Sequence, residues 1–236
     1  MILQVKDLHS YYGKSHVLQG VNLELAQGDL VCLLGRNGVG KSTTLMSLMG
    51  LVQPKKGSVL FKSKELVGRP PFQIAKLGLG YVPEERRIFK SLTVQENLQI
   101  GIKPPQDARN YEPWTVERVF DSFTRLAERR DNKGGHLSGG EQQMLTVART
   151  LMGNPELILV DEPTEGLAPL VAEAVLEMLA AISQSGVTIL MVEQNYKAAL
   201  KLAGSFYIMS KGRIVFKGDG EELIAAEEIR QTYLEV

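Results

Sequence analysis

One cysteine and three histidines are all that this 236-residue chain offers toward metal or redox chemistry of the thiol and imidazole kind. The lone Cys32 excludes an internal disulfide and a cysteine-built metal site. It stands in the apolar run Leu30-Val31-Cys32-Leu33-Leu34 and reads as a small buried core residue. His9, His16 and His136 are scattered, without the HExxH spacing of a zinc helix. An excess of charge of either sign is also missing, since 27 basic and 27 acidic residues cancel. With no basic run to follow a phosphate backbone, no nucleic-acid partner is expected. No apolar stretch approaches the roughly 18–20 residues that span a bilayer. The start, Met1-Ile2-Leu3-Gln4-Val5-Lys6-Asp7, lacks the charged-then-apolar layout of a signal peptide. A soluble chain is expected, reaching any membrane through another protein. Internal repeats and low-complexity segments are absent, and the length fits one large domain or a core carrying a small subdomain.

What is present is an alternation of short apolar runs and helix-length segments. Strands are expected over 2–8, 17–25, 58–61 and 79–82, bounded by Gly and Pro. The runs 30–34, 157–160 and 187–192 are continuously apolar, as strands buried on both faces of a mostly parallel sheet should be. Helical spacing of apolar residues marks 41–49, 168–185 and 196–203. Together these predict an α/β fold of βαβ units around a central sheet. From about 84 to 152 no strand is evident. Residues 94–100, 115–130 and 139–152 are amphipathic and are separated by the loop Lys103-Pro104-Pro105-Gln106-Asp107. This predicts a helical subdomain (84–152) inserted into an α/β core (1–83 and 153–236). Most of the charged run 109–130 is expected to be a solvated helix face. The stretch 220–236 is expected to form one or two short helices.

Three motifs carry chemistry. Gly35-Arg36-Asn37-Gly38-Val39-Gly40-Lys41-Ser42, followed by Thr43, has the GxxxxGK[ST] form of a phosphate-binding loop between a buried strand and a helix. Its glycines, Gly35, Gly38 and Gly40, let backbone N–H groups close on phosphate, and the helix N-terminus adds a favourable dipole. Lys41 would meet the β- and γ-phosphates and Ser42 would offer a hydroxyl to Mg²⁺. Asp161 and Glu162 close the strand 157–160, and Pro163-Thr164 breaks it just beyond. They therefore stand at the carboxyl edge of the sheet, where open α/β folds bind ligands. Asp161 would hold Mg²⁺ through water, and Glu162 would orient the attacking water or accept its proton. In Leu137-Ser138-Gly139-Gly140-Glu141-Gln142, Ser138 with Glu141 three residues later reads as a capping box that opens a helix. A capped, glycine-rich helix start is also an anion site.

In this order the three motifs resemble the ATP-binding cassette, the motor of ABC transporters, over essentially the whole chain. The resemblance implies ATP and Mg²⁺ as ligands. It also implies that Ser138, Gly139 and Gly140 face ATP held on the phosphate loop of a second cassette, identical or homologous. Of Tyr11 and Tyr12, Tyr12 is the better match to the aromatic that stacks on adenine. Three places depart from the commoner cassette. Glu84 stands where a glutamine usually contacts the metal. Glu165-Gly166-Leu167-Ala168 replaces Ser-Ala-Leu-Asp. Gln194 replaces a γ-phosphate-contacting histidine, retaining a hydrogen-bond donor but not a titratable charge.

These departures, with Pro83-Glu84-Glu85-Arg86-Arg87-Ile88-Phe89 and Val192-Glu193-Gln194-Asn195, resemble the ATPase subunit of branched-chain amino-acid importers. Urea and amide importers are near relatives, toward which Tyr12-Gly13 and 35–40 lean. Export cassettes and soluble cassette ATPases are the alternatives. The importer resemblance implies transmembrane permease partners, an indirect periplasmic binding protein, and a place on the cytoplasmic face of the cell membrane. Arg87, Phe89 and Leu92 would then line the groove that receives a permease helix.

Overall fold

The computed structural model describes residues 1–103 and 112–235. The chain opens with an antiparallel hairpin, β1 (Leu3–Tyr12) and β2 (Ser15–Leu25), turned at Gly13 with φ 57°. β4 (Lys56–Phe61) pairs with the free edge of β1, and the two-residue β5 (Lys64–Glu65) follows, giving the order β2-β1-β4-β5. Register shifts lie between Val5 and Leu8, Leu8 and His9, and Ser10 and Tyr11. They break the period-2 pattern, so the expectation of a strand over 2–8 stopped short of its end at Tyr12.

The second sheet has six strands in the order β10-β9-β3-β8-β7-β6. They are β3 (Leu30–Leu34), β6 (Leu79–Val82), β7 (Leu157–Asp161), β8 (Thr188–Glu193), β9 (Ser205–Ser210) and β10 (Arg213–Asp219). All neighbours are parallel except β10, which runs antiparallel to β9. Successive residues of a strand point to opposite faces, so each apolar run feeds two cores. Cys32, Leu34, Ile158, Val160, Ile189 and Met191 face one cluster, which includes Leu145, Ala148, Val175 and Leu179 of two long helices. Val31, Leu33, Leu157, Leu159, Leu190 and Val192 face the other, with Leu45 and with Leu3, Val5, Leu23 and Phe61 of the antiparallel sheet. Cys32 is fully buried.

The helices are α1 (Lys41–Leu48), α2 (Pro71–Lys76), α3 (Val94–Gly101), α4 (Val116–Ser122), α5 (Thr124–Ala127), α6 (Gly139–Leu151), α7 (Pro169–Gln184), α8 (Tyr196–Leu200), α9 (Gly220–Ala225) and α10 (Glu227–Tyr233). Between β6 and β7 the described residues form helices and one 3₁₀ turn (Gly134–His136) but no strand, with a single isolated bridge from Thr93 to Lys133. The expected helix over 115–130 is two. Phe123, at φ −128° and ψ 77°, leaves helical geometry to bury its ring against Trp114, centroids 5.8 Å apart. The solvated face holds for Arg125, Glu128 and Arg129, whereas Trp114, Val119, Phe120 and Leu126 are buried. Pro104-Pro105-Gln106-Asp107 and Arg109 lie outside the described residues.

Because β3, β7 and β8 are parallel, the phosphate loop, Asp161-Glu162 and Gln194 emerge from the same sheet edge. The fold thus collects at one rim three segments that are far apart in sequence.

Candidate active site

Backbone sterics set the loop between β3 and α1. A Cβ on Gly35 would lie 2.5 Å from the Met209 carbonyl oxygen, and Gly40 caps α1 at φ 113°. Only glycine satisfies both positions without moving β9 or straining the backbone. Lys41, 4 % exposed, folds back into this loop. Its ammonium donates to the carbonyls of Gly35 (2.8 Å) and Arg36 (3.1 Å) and pairs with Glu162 Oε1 at 2.9 Å. The three donors of one ammonium therefore meet three oxygens.

The hydroxyl of Ser42 donates to Asp161 Oδ1 at 2.9 Å, and the Tyr81 hydroxyl donates to Oδ2 at 3.1 Å. Burial raises the Asp161 pKa, with those two hydrogen bonds working against it. Glu162 sits at φ 42°, a left-handed value a glutamate adopts only where its surroundings enforce it. Glu193 braces the turn that follows. Fully buried at the end of β8, it accepts from the Thr164 N–H (3.2 Å) and hydroxyl (2.7 Å) and from the Gln194 N–H (3.1 Å). It thereby ties the turn after Asp161-Glu162 to the segment that carries Gln194. Gln194 Nε2 then donates to Glu162 Oε2 at 2.7 Å. Burial works to raise the Glu162 pKa, but hydrogen bonds from Glu165, Gln194 and Lys41 outweigh it and hold the carboxylate below its usual range. Glu165, hydrogen-bonded to Glu162 and partly desolvated, is pushed up to about 7.

Of these groups Lys41, Ser42, Glu162 and Glu165 line an open cleft of about 330 Å³, together with Val17, Asn37, Gly38, Gly40, Thr43 and Glu84. Larger hollows exist elsewhere among the described residues, but the buried Lys41–Glu162 pair belongs to this cleft. The donor set suits Mg²⁺. Ser42 and Glu84 present hard oxygens to the cleft and Asp161 lies directly behind Ser42, while no cluster of three or more His, Cys, Asp or Glu able to hold a metal exists among the described residues. A hard cation held by a few protein oxygens, with the rest from phosphate and water, is how Mg²⁺ is commonly bound.

Other expected residues lie apart. Tyr12 ends β1 with 49 % exposure and does not line the cleft, whereas Tyr11 stacks on His16 at 4.2 Å. Ser138 caps α6 in a full capping box with Glu141, and a side chain on Gly140 would collide with Val171 of α7. Ser138, Gly139 and Gly140 do not line the cleft that holds Lys41. Of the groove residues, Phe89 lines a separate cleft of about 440 Å³ with Ile100 and Arg149, Leu92 is half-buried, and Arg87 pairs with Glu85 in the solvent. Sequence reasoning passed over Val17, Tyr81 and the chemical weight of Glu165. Glu165 had a signal, an ionisable residue where the commoner pattern has serine. Tyr81, inside an ordinary strand run, had none.

The model of the ABC transporter family matches residues 18–165, and the chain belongs to that family. It is 42% identical over 233 residues to the high-affinity branched-chain amino acid transport ATP-binding protein BraG of Pseudomonas aeruginosa, covering 99% of each chain. It is 31% identical over 234 residues to the lipopolysaccharide export system ATP-binding protein LptB of Escherichia coli strain K12, covering 98% of this chain and 96% of that one. Among solved structures, an ABC-transporter ATP-binding cassette in its ADP conformation superposes with a TM-score of 0.82 at 29% identity, covering 98% of this chain and 97% of the other. No helix among the described residues is long and apolar enough to cross a membrane.

Proposed function

We propose that this chain is the ATP-hydrolysing motor subunit of an ABC importer for branched-chain amino acids. The observation that carries the reading is the buried Lys41–Glu162 pair at 2.9 Å in the phosphate-loop cleft, with Gln194 on Glu162 at 2.7 Å and Ser42 on Asp161 at 2.9 Å. In this reading Lys41 exchanges Glu162 for the β- and γ-phosphates, keeping the loop carbonyls as its anchor. That exchange frees the Glu162 carboxylate to accept a proton from the attacking water, while Gln194 orients it. Ser42, Asp161 and Glu84 hold Mg²⁺, which when bound neutralises charge on the phosphate oxygens. Tyr12 stacks on adenine. Ser138, Gly139 and Gly140 complete the site of a second cassette, identical or homologous, and residues 84–152 act as an inserted helical subdomain that meets the permease. The cleft beside Phe89 is also lined by Tyr81, whose hydroxyl donates to Asp161. The chain then works on the cytoplasmic face of the membrane, with a periplasmic binding protein as an indirect partner.

The 42% identity with BraG across the full length supports the amino-acid reading. An export motor is the second reading, favoured by the 31% identity with LptB. Deleting the gene and measuring uptake of labelled leucine and valine separates them. Loss of uptake restored by the parent chain but not by Lys41→Ala supports the importer. Unchanged uptake of both, with a defective outer leaflet, would favour export.

A further inference from the structure

The second residue of the phosphate loop has a partner far along the chain that the loop motif does not require. In GxxxxGK[ST] the position after the first glycine is unconstrained. Here the Arg36 guanidinium, otherwise exposed, donates to the Glu235 backbone carbonyl at 2.5 Å. The Glu235 carboxylate in turn accepts the Tyr196 hydroxyl at 2.7 Å and lies 3.7 Å from Arg230. Tyr196 is the first residue of α8, two residues beyond Gln194. Gln194 contacts Glu162, Glu162 pairs with Lys41, and Lys41 donates to the Arg36 carbonyl. With the backbone from Tyr196 through Asn195 to Gln194, these contacts close a ring through Lys41, Arg36, Glu235, Tyr196, Gln194 and Glu162.

We infer that Arg36, Glu235 and Tyr196 form a clasp that holds the phosphate loop in register with the Gln194 segment, so that Arg36 and Tyr196 are positioning residues for hydrolysis. This rests on the reading of the cleft as an ATP-hydrolysing site. The physical case follows from which bonds must survive turnover. When Lys41 turns to phosphate, the Lys41–Glu162 arm of the ring opens. Beyond the β3–β8 ladder, which ends at Leu34 and Glu193, the path through Glu235 is then the side-chain link of the ring that still joins the loop to the Gln194 segment. That path touches the loop from outside the cradle, so a nucleotide need not displace it. A misplacement of about 1 Å at a reacting centre is enough to cost large factors in rate, so a tether at this distance has leverage on turnover rather than on binding.

Three variants separate the clasp from general packing. Tyr196→Phe removes one hydroxyl and keeps the ring. Glu235→Ala removes its acceptor, and Glu235→Gln keeps an acceptor oxygen at the same place. Amide hydrogen exchange of the nucleotide-free chain reads the clasp whether or not the chain hydrolyses ATP. Failure of the clasp and failure of the hydrolase reading therefore register separately. Tyr196→Phe and Glu235→Ala should each speed exchange of the amides of 36–40 and 194–196 by roughly tenfold, as loss of one hydrogen bond to a charged group allows. Each should lower kcat about five- to tenfold with the ATP KM within about twofold. Glu235→Gln should stay within about twofold of the parent in both readouts. Unchanged loop exchange in Tyr196→Phe overturns the clasp, whatever happens to the rate. So does a loss confined to KM, or a Glu235→Gln variant as impaired as Glu235→Ala.

Discussion

Replacing Lys41 with methionine keeps the volume of the aliphatic stem and deletes only the ammonium, so it isolates the charge at the centre of the site. The two side chains of the pair are 3 % and 7 % exposed and their charges meet at 2.9 Å. At an effective dielectric of about 20 that separation corresponds to roughly 6 kcal/mol of attraction, most of it offset by desolvation. Removing one partner of a buried pair costs about 3–5 kcal/mol. Gln194 and Glu165 still donate to Glu162, which places the cost at the lower end, about 3 kcal/mol. For a chain of this size that is a fall in Tm of roughly 6–12 °C without nucleotide. The sign with pH is fixed. The folded pKa of Glu162 lies below its ordinary value, so the stability it contributes is present above the unfolded carboxylate value and is lost as pH falls. The penalty of Lys41→Met should therefore shrink on acidification toward about pH 4. In the double variant Lys41→Met/Glu162→Gln no charge is left unpaired, and more than half of the lost Tm should return. Calorimetry or circular dichroism reads the parent, Lys41→Met, Glu162→Gln and the double variant. Strict additivity of the two single effects, or a Lys41→Met Tm within about 1 °C of the parent, would refute the buried pair as described.

Gln194→Ala deletes the donor to Glu162 Oε2 and should lower steady-state phosphate release about tenfold, the effect of one hydrogen bond to a charged group. Gln194→His should stay within about threefold of the parent and gain nothing as pH falls through about 6.5, the ordinary imidazole value. Glu165 has a folded pKa raised to about 7, so its proton stabilises the fold at acid pH and that contribution is lost as pH rises toward and through 7. Glu165→Gln, which keeps a donor toward Glu162, should flatten the decline of Tm between pH 5 and pH 8, measured by thermal scans. The fully buried Asn97 accepts from the Phe89 N–H and donates to the carbonyls of Phe89, Leu92 and Thr93. Asn97→Ala should destabilise by about 1–3 kcal/mol in urea unfolding, because it strands the Phe89 N–H while the three carbonyls keep backbone donors.

The parts of the fold that the sequence showed were those where burial and periodicity agree. The apolar runs of β3 (30–34) and β7 (157–160) stand out because both faces are covered, and the Ser138 capping box announced the start of α6 at the right residue. β9 was passed over although it is a central strand against β3. Its Ser-Phe-Tyr-Ile-Met-Ser sequence is short, has serines at both ends, and was masked by the helical spacing expected over 196–203. The helix there stops at Leu200. β10 alternates between exposed and half-buried residues, as an edge strand does, and its charged ends resemble a loop. Within the site, Lys41, Ser42, Asp161 and Glu162 were legible because their chemistry depends on local order along the chain. Their partners were not, since Tyr81, Glu193 and Glu165 join them only through the parallel pairing of β6, β7 and β8 and the turn after β7.

The identification of Glu162 as the hydrolytic base is the point on which the rest depends. Steady-state phosphate release from Mg²⁺-ATP should be compared between the parent and Glu162→Gln, with ATP affinity measured on the same preparations. The variant should bind ATP at least as well as the parent, because Lys41 no longer has a carboxylate to leave, and should release phosphate roughly 10²–10⁴-fold more slowly. Turnover near that of the parent, with binding intact, would remove Glu162 from that role and leave the contact with Lys41 as its function.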